Sequence, residues 1–395
     1  MPRVLLVLPT TTYRAADFLK AAAALGASVV VATEGEPLLL AERAVQVDLD
    51  DPRGAAAAMG DRDDGLPVDA VVAVDDRGVL PAAYAAERLG LPHNPPGSVA
   101  ATRDKSRLRA LLAAGEVAQP DFVLVDGDEL PDLAYPIVLK PLDRSGSMGV
   151  IRVDDAGAAR GAIARIRRIV DDPDARLLAE RFVAGEEVSL EGLLRGGALD
   201  VLAVFDKPDP LDGPYFEETI YVTPSHHPAL DELARVVGDG CRAVGLVEGP
   251  VHAEARIDGD RVVLIEVAAR SIGGLCSRAL TFGAGVSLEE LILRHALGLP
   301  FDDMVRERAA SGVMMLPIPG SGVLREVAGR EEALQVPGVG GLEITVPAGR
   351  EVKALPEGDR YLGFLFARGA TPVEVVTSLR DAAARLDVVI DSMEA

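Results

Sequence analysis

The fold assignment depends most on a strand-like run that ends in a lysine and passes into a glycine-rich turn. It covers residues 135–150 and reads YPIVLKPLDRSGSMGV. The apolar run ends at Lys140, and the small residues after it can turn their backbone N–H groups inward to bind a phosphate. The spacing differs from the G-x-x-x-x-G-K-[ST] pattern, which excludes an ordinary P-loop site. A plain surface hairpin is the alternative when this segment is considered alone.

Lysine is rare in this chain. The five lysines stand at positions 20, 105, 140, 207 and 353, so arginine supplies 35 of the 40 basic residues. A lysine can therefore mark a place that needs a compact ammonium, such as a nucleotide phosphate site. Composition alone makes this a weak indication.

Composition also excludes several classes of protein. The 395-residue chain has 62 acidic residues and a net charge of −22, which disfavours a nucleic-acid or anionic-membrane surface. Cys241 and Cys276 lack the spacing of a zinc site or a disulfide framework. The apolar run Val4–Leu8 is too short for a signal peptide, and no stretch approaches the roughly 20 apolar residues of a membrane span. We therefore expect a cytoplasmic protein with no nucleic-acid and no membrane partner.

Short β-rich runs alternate with alanine-rich helical patterns in the first hundred residues. The runs Val4–Leu8, Ser28–Ala32 and Ala70–Val74 predict buried parallel strands of an open α/β domain. No G-x-G-x-x-G follows the first strand, which weighs against a dehydrogenase. A segment rich in proline and glycine at 91–97 predicts a boundary, and one helix is predicted after it over residues 98–114.

Two glutamates lie inside apolar β-type runs on either side of a predicted turn. Glu254 and Glu266 would be costly to bury without a cation, and carboxylates are ligands that Mg²⁺ prefers. A two-residue turn at Asp258-Gly259 would send the two side chains to opposite faces, whereas a three- or five-residue turn keeps them on one face. A metal site therefore predicts the longer turn. An ion pair with Arg256 or Arg270 is the alternative.

Residues 179–191 read AERFVAGEEVSLE, a strand that passes into an acidic, glycine-containing linker. Backbone groups of such a linker can face an adenine edge, and a nearby acid can bind ribose hydroxyls. The segment alone is a weak indication, because acidic loops are usually only solvated.

Taken in order, these motifs resemble the ATP-grasp superfamily over about residues 90–300. The first landmark is LGLP at 89–92, and Asp104-Lys105 comes next. The strand that ends at Lys140 with its glycine-rich turn, the acidic segment 179–191, Glu254 and Glu266 then follow in order. The resemblance implies an ATP site in which Lys105 and Lys140 contact the α- and β-phosphates. It also implies that Glu254 and Glu266 ligate Mg²⁺, or Mn²⁺ in its place. The nucleotide-binding residues that it implies are Lys105, Lys140, Ser145, Gly146, Ser147, Met148, Glu180, Phe182, Val183 and Glu187, with Glu180 and Val183 at the adenine and Glu187 at the ribose.

One position departs from the common ATP-grasp pattern. Many members have E-x-N, with the asparagine as a metal ligand, where this chain has Ala268. The stretch EVAARSIGG at 266–274 instead resembles L-amino-acid ligases and carnosine-synthase-like enzymes, and so does LPEGDRYLGFLFARG at 355–369. The number of metal ions is left open by Ala268.

The subfamily resemblance implies a ligase that joins a small-molecule carboxylate to an amine through an acyl phosphate and releases ADP and phosphate. Arg270 would steady the acyl phosphate, and the Gly273-Gly274 backbone would donate to a carboxylate. Glu218 would bind the ammonium of an amino acid, and Lys207 would assist at the phosphate. Because aromatic residues are few and tryptophan is absent, we expect a pocket that is not built on large stacking groups.

The predicted architecture is a multidomain α/β and α+β protein with four units. These are an N-terminal α/β domain (1–97), an ATP-grasp subdomain with a glycine-rich lid (98–185), an ATP-grasp subdomain with the metal site (186–302) and a strand-rich, amino-acid-ligase-type subdomain (303–395). A homodimer is an expectation from the family.

Two other functions stay open. One is an ATP-grasp enzyme of the purine-biosynthesis or carboxylase type, which Ala268 and the tail disfavour. The other is a catalytically inactive ATP-binding regulatory module. Retention of both carboxylates and of Arg270 argues against it, because binding ATP alone does not require all three.

Overall fold

Four parallel strands form the N-terminal sheet, in the order β3-β2-β1-β4. The computed structural model describes residues 1–35, 43–62, 66–127, 129–209, 212–301 and 304–392. The strands are β1 (Arg3–Val7), β2 (Ser28–Thr33), β3 (Arg43–Gln46) and β4 (Ala70–Ala73), and the helices are α1 (Ala15–Ala24), α2 (Pro52–Gly60) and α3 (Val79–Leu89). Alternate residues of β1 pack into two different cores, with Leu5 on one face and Leu6 on the other. Burial on both faces explains the continuous apolar runs, and the predicted parallel α/β sheet is confirmed.

Two helices occupy the segment for which a single helix over 98–114 was predicted, so that prediction was wrong. Helix α4 (Pro96–Thr102) ends before Arg103, and helix α5 (Lys105–Ala114) begins one residue after Asp104. The carboxylate of Asp104 accepts hydrogen bonds from the N–H groups of Ser106 and Arg107, which is the geometry of a helix N-cap. The break places Lys105 in the first turn of α5.

A small antiparallel sheet follows, in the order β5-β8-β6-β7. Its elements are β5 (Phe122–Val125), β6 (Ile137–Pro141), β7 (Ile151–Val153), α6 (Ala156–Val170) and β8 (Leu177–Arg181). Ile137 and Leu139 of β6 point to the face that α6 covers, where they share one apolar core with Ile163 and Ile166. The turn between β6 and β7 contains residues 145–149, which we call the lid loop.

An eight-stranded sheet forms the centre of the molecule, in the order β13-β12-β9-β10-β11-β14-β18-β16. Its strands are β9 (Glu186–Arg195), β10 (Ala198–Asp206), β11 (Ile220–Thr223), β12 (Gly249–Asp258), β13 (Arg261–Ala268), β14 (Ala310–Leu316), β16 (Val339–Ile344) and β18 (Gly363–Gly369). Helices α7 (Leu230–Val244) and α8 (Leu288–Ala296) pack against it. Strands β11 and β14 are hydrogen-bonded, so this sheet runs across the predicted boundary at 302/303, whose own residues lie outside the described ranges.

The C-terminal part also contains a three-stranded sheet of order β17-β15-β19. Its elements are β15 (Gly322–Ala328), α9 (Arg330–Leu334), β17 (Glu351–Val352), α10 (Pro372–Ala383) and β19 (Asp387–Asp391). The described part of the chain ends with helix α10 followed by strand β19. In the part of the chain that the structure describes, no helix has the length and apolar character needed to cross a bilayer.

Candidate active site

A cavity of about 300 Å³ collects residues from widely separated parts of the sequence. Its walls come from the loops after β1 and β4, the small antiparallel sheet, the eight-stranded sheet and the segment before β18. The predicted site residues that line it are Lys105, Lys140, Ser145, Gly146, Ser147, Glu180, Phe182, Val183, Glu187, Glu218, Glu254, Glu266, Arg270, Gly273 and Gly274. Met148 and Lys207 are the two that stand outside this lining. The functional roles given to all these residues stay predictions.

The lid loop is a tight turn held at both ends. Gly146, Ser147 and Gly149 adopt positive φ angles of 63°, 57° and 70°, a region that favours glycine. The ammonium of Lys105 donates to the carbonyl oxygen of Arg144 at 2.5 Å, just before the turn. The N–H of Gly149 donates to the carbonyl oxygen of Pro356 at 2.9 Å. Because of these bonds, the lid loop contacts the segment between β17 and β18 beside the cavity. We call residues 353–362 of this segment the C-terminal segment.

Lys140 is held by a buried ion pair. Its Nζ lies 2.6 Å from the carboxylate of Glu180, and Nε of Arg109 donates to the other oxygen of that carboxylate at 2.6 Å. Burial alone would raise the pKa of Glu180, but the two cations outweigh it and hold that pKa at about 2. The Glu180 carboxylate thus keeps Lys140 in place, and its predicted contact with adenine stays a prediction.

The two candidate metal ligands face each other across neighbouring strands. The turn between β12 and β13 consists of Gly259 and Asp260, so the prediction of a longer turn was wrong. A bulge at Ile265 supplies the missing residue and brings Glu254 directly opposite Glu266. The turn length alone would have sent Glu266 to the other face.

The bulge has a specific partner that the sequence did not suggest. Arg109, which is 2% exposed, donates to the carbonyl oxygens of Leu264 and Ile265 at 3.3 and 2.6 Å. The same guanidinium binds Glu180. One buried side chain therefore connects the bulge to the Lys140 ion pair.

Lys207 lies behind the cavity wall among three carboxylates. Its ammonium is 2.8 Å from Glu187, 2.6 Å from Glu218 and 2.8 Å from Glu254. Burial would lower the pKa of Lys207, but these carboxylates hold it well above its ordinary value. The alternative of an arginine partner for Glu254 was wrong, because its cation is Lys207, and Arg256 binds Glu187 instead.

Glu218 lies beside this cluster and faces the cavity. Burial and the nearby Glu254 carboxylate raise the pKa of Glu218 to about 7, although Lys207 opposes this. The hydroxyl of Tyr221 donates to its second oxygen at 2.6 Å. A carboxylate in this setting can gain stabilisation from an incoming ammonium, which agrees with the role predicted for Glu218.

Arg270 is positioned by the N-terminal domain. Its Nε donates to the carboxylate of Asp76 at 3.2 Å, and Arg103 donates to the same carboxylate at 3.4 Å. Burial would raise the pKa of Asp76, but the two guanidinium groups outweigh it and lower that pKa. Asp75 and Asp76 also line the cavity and were missed. Their position at the carboxyl end of β4 was a usable signal, because ligands of open α/β sheets bind there.

A buried histidine was also missed. His252 lies two residues before Glu254 on β12 and lines the cavity, with Nε2 3.5 Å from the Glu254 carboxylate. Burial would lower the pKa of His252, but the buried carboxylate of Glu191 raises it to about 9.

The expectation of a pocket without large stacking groups was wrong. The five aromatic residues that line the cavity are Tyr13, Phe182, Phe216, Tyr221 and Tyr361. They come from distant parts of the chain, so a low overall aromatic content could not reveal their convergence. The rings of Phe182 and Phe216 are 6.5 Å apart, and the guanidinium of Arg256 lies 5.0 Å from the Phe182 centroid.

A metal ion fits the donor set around the hairpin. Glu254 and Glu266 offer hard oxygen ligands on one face, toward the cavity. Among the described residues, none forms an ion pair or a hydrogen bond with the Glu266 carboxylate. Glu266 is half-buried and interacts electrostatically with Arg270, and a metal ion would add the positive charge that two facing carboxylates need.

Three family profiles match consecutive parts of the chain. ATP-grasp N-terminal domain matches residues 19–93, ATP-grasp domain matches residues 133–279, and L-amino acid ligase C-terminal domain 2 matches residues 314–391.

Two ligases or synthases from other bacteria are similar to this chain over part of their length. Dapdiamide A synthase of Enterobacter agglomerans is 29% identical over 259 residues, which is 61% of this chain and 60% of that protein. Alanine–anticapsin ligase of Bacillus subtilis is 26% identical over 254 residues, which is 57% of this chain and 53% of that protein. The chain thus matches less than two thirds of the length of these relatives.

A solved structure is similar over the whole chain. The crystal structure of L-amino acid ligase from Bacillus licheniformis superposes with a TM-score of 0.83 at 26% identity and covers 99% of both chains. The similarity includes the eight-stranded sheet and the C-terminal part.

Proposed function

Since this chain belongs to the ATP-grasp family, we propose that it is an ATP-dependent carboxylate–amine ligase with an amino acid as one substrate. One observation carries the proposal. A single cavity joins a cationic, glycine-turn end to the facing carboxylates Glu254 and Glu266, and beyond them to Glu218 and Arg270. Such a cavity can hold a nucleotide and a small acid side by side.

The ATP phosphates would lie between Lys105, Lys140 and the lid loop. These two ammonium groups and the backbone N–H groups at the start of the turn suit a polyphosphate. The adenine would lie near Phe182 and Val183, and the ribose near Glu187. All of these residues line the cavity.

Glu254 and Glu266 would hold Mg²⁺, or Mn²⁺, which supplies positive charge beside the phosphates. The residues of the chain then have distinct tasks. Glu218 would bind the ammonium of the amino acid, so that the carboxylate of the amino acid lies toward the γ-phosphate. A carboxylate oxygen attacks the γ-phosphorus, the bond to ADP breaks, and an acyl phosphate forms.

Arg270 would bind the phosphate oxygens of the acyl phosphate, and the Gly273-Gly274 backbone would donate to the carboxylate that is being joined. The amine then attacks the acyl carbon, and inorganic phosphate leaves. Lys207 keeps three carboxylates together in the structure. To assist at the phosphate, its ammonium would have to give up at least one of these partners.

The L-amino acid ligase type of C-terminal domain supports this function over a purine-biosynthesis or carboxylase activity. The facing carboxylates Glu254 and Glu266 at the cavity support it over an inactive ATP-binding module. A homodimer and a cytoplasmic location stay predictions.

The test is release of ADP with single amino acids and with pairs of amino acids. We expect ADP release that depends on an amino acid and amide formation that depends on a second amine. Glu266→Gln should abolish turnover without unfolding the protein, whereas Glu326→Gln, an exposed strand glutamate outside the cavity, should be as active as the wild type. Tight ATP binding without stimulation by any amino acid or pair would favour the inactive module.

A further inference from the structure

A buried glutamate outside the cavity lining connects the two halves of the site. Glu191 lies on β9, next to β12 in the eight-stranded sheet, and is 1% exposed. One of its carboxylate oxygens is hydrogen-bonded to Nδ1 of His252. The other accepts from the backbone N–H of Ile272 at 2.8 Å. Both oxygens are thus used by groups that border the cavity.

The first connection leads to the metal end of the site. His252 is opposite Glu191 in the register of β9 and β12, and it stands two residues before Glu254 on the same face. Its Nε2 lies 3.5 Å from the Glu254 carboxylate. The imidazole therefore has a fixed orientation, with Glu191 on one ring nitrogen and Glu254 beside the other.

The second connection leads to the substrate end. Ile272 lies in the segment after β13, between Arg270 and the Gly273-Gly274 pair. Its N–H is a buried backbone donor, and Glu191 is the acceptor that satisfies it. The position of this segment relative to the central sheet is thus set in part by one side chain.

We propose that Glu191 is a positioning residue that fixes Glu254 and the Arg270–Gly274 segment relative to each other. The proposal rests on the proposed function, because it assigns Glu254 to the metal end and Arg270 to the acyl phosphate. An apolar side chain could fill a core position equally well. A carboxylate whose two oxygens both accept hydrogen bonds at this junction instead indicates a positioning role.

Loss of the two connections should have different consequences. Without the imidazole contact, Glu254 keeps Lys207 but loses one of its orienting contacts, and metal affinity falls. Without the Ile272 contact, the segment that holds the acyl phosphate is loosened. Water can then attack the acyl carbon in place of the amine, which releases phosphate and the free carboxylate and forms no amide.

The experiment measures two quantities in folded variants: the affinity for Mn²⁺ in the presence of ADP, by electron paramagnetic resonance, and the ratio of ADP released to amide formed. Glu191→Ala removes both connections, and we expect about tenfold weaker Mn²⁺ binding and a raised ratio. His252→Gln removes only the first, so Mn²⁺ binding should weaken with the ratio near that of the wild type. Glu191→Gln keeps an oxygen for Ile272, so its ratio should also stay near that of the wild type.

Glu248→Gln is the matched control, because Glu248 also pairs with a partly buried histidine, His295, at 2.7 Å but does not line this cavity. It should change neither quantity. Wild-type Mn²⁺ affinity and ratio in folded Glu191→Ala would overturn the proposal. If that variant does not fold, unchanged Mn²⁺ affinity in His252→Gln overturns it equally. A wild type that forms no amide would refute the proposed function, and the Mn²⁺ measurement would still test Glu191.

Discussion

Nη2 of Arg109 donates to the carbonyl oxygen of Ile265 at 2.6 Å, and Ile265 is the bulge residue that brings Glu266 opposite Glu254. The planar fork of a guanidinium spreads its donors over this carbonyl, the neighbouring Leu264 carbonyl and Glu180, whereas an ammonium concentrates its donors on one atom. Arg109 of helix α5 thus stabilises the candidate metal site.

We expect Arg109→Lys to weaken Mn²⁺ binding about tenfold and to lower the free energy of unfolding by about 1–3 kcal/mol, because bulge carbonyls lose their donor. Chemical unfolding and metal titration measure the two effects. Arg107→Lys is the control on the same helix, since Arg107 is 66% exposed and pairs only with Asp104 among the described residues. Equal behaviour of the two variants would contradict a role for Arg109 at the bulge.

Glu180 should contribute to stability in a pH-dependent way. Its pKa in the folded protein, about 2, is below its ordinary value of 4.5, so the folded state favours the charged form. The contribution is present above about pH 4.5 and is lost as the pH falls toward 2. Glu180→Gln should therefore cost about 3 kcal/mol at pH 7 and clearly less at pH 3.5. Urea unfolding of both proteins at the two pH values measures this, and a pH-independent difference would contradict it.

Two adjacent glycines in the candidate substrate segment should respond differently to alanine. A Cβ on Gly274, where φ is +61°, would lie 2.7 Å from the Phe364 ring, whereas the nearest atom to a Cβ on Gly273 is 4.0 Å away. Gly274→Ala should lose about 1–3 kcal/mol of stability, and Gly273→Ala should stay within about 0.5 kcal/mol of the wild type. Thermal unfolding of both variants is the measurement. Equal losses would show that the ring of Phe364 can move aside.

The lid loop should become more mobile when an ion pair that holds the C-terminal segment beside it is removed. Arg165 of α6 forms a two-pronged ion pair with Glu357 at 2.7 and 3.0 Å, next to the Gly149–Pro356 hydrogen bond. We expect Arg165→Gln to raise the KM for ATP roughly 2–5-fold, since an ion pair this exposed is worth about 1 kcal/mol or less. Amide hydrogen exchange at Gly149 should become faster.

Arg176→Gln provides the comparison for that variant. Arg176 pairs with Asp126 at 2.6 Å within the small antiparallel sheet and does not reach the C-terminal part. It should leave both the KM and the exchange at Gly149 unchanged. If Arg165→Gln also changes neither, the ion pair does not hold the lid loop.

Sequence patterns predicted the elements better than their junctions. The apolar runs of β1, β2 and β4 reveal a parallel sheet because both faces are buried. The bulge at Ile265 could not be predicted from the sequence, because the run Val262–Ile265 is apolar throughout. It has no alternation of polar and apolar residues that a bulge would interrupt. The break before α5 had a signal in Asp104, a common N-cap residue, which the continuous pattern on either side concealed.

The site was predictable where residues stand in motifs and not where they meet through the fold. Lys140, Glu254 and Arg270 stand in recognisable surroundings. The contact of Lys207 with three glutamates depends on strand order in the central sheet. Glu191 lies in the acidic segment 179–191, but only the register of β9 with β12 places it beside His252.

The continuous eight-stranded sheet limits how proteins of this architecture can exchange parts during evolution. Strand β14 hydrogen-bonds to β11, and Tyr221, which binds Glu218, pairs with Val313 in that register. A C-terminal unit grafted from another ligase would have to bring a strand that fits β11, or leave that edge open to association with other chains. Tyr221 on β11, which holds the candidate substrate-binding residue Glu218, and the strand β14 beside it would therefore have to be exchanged together.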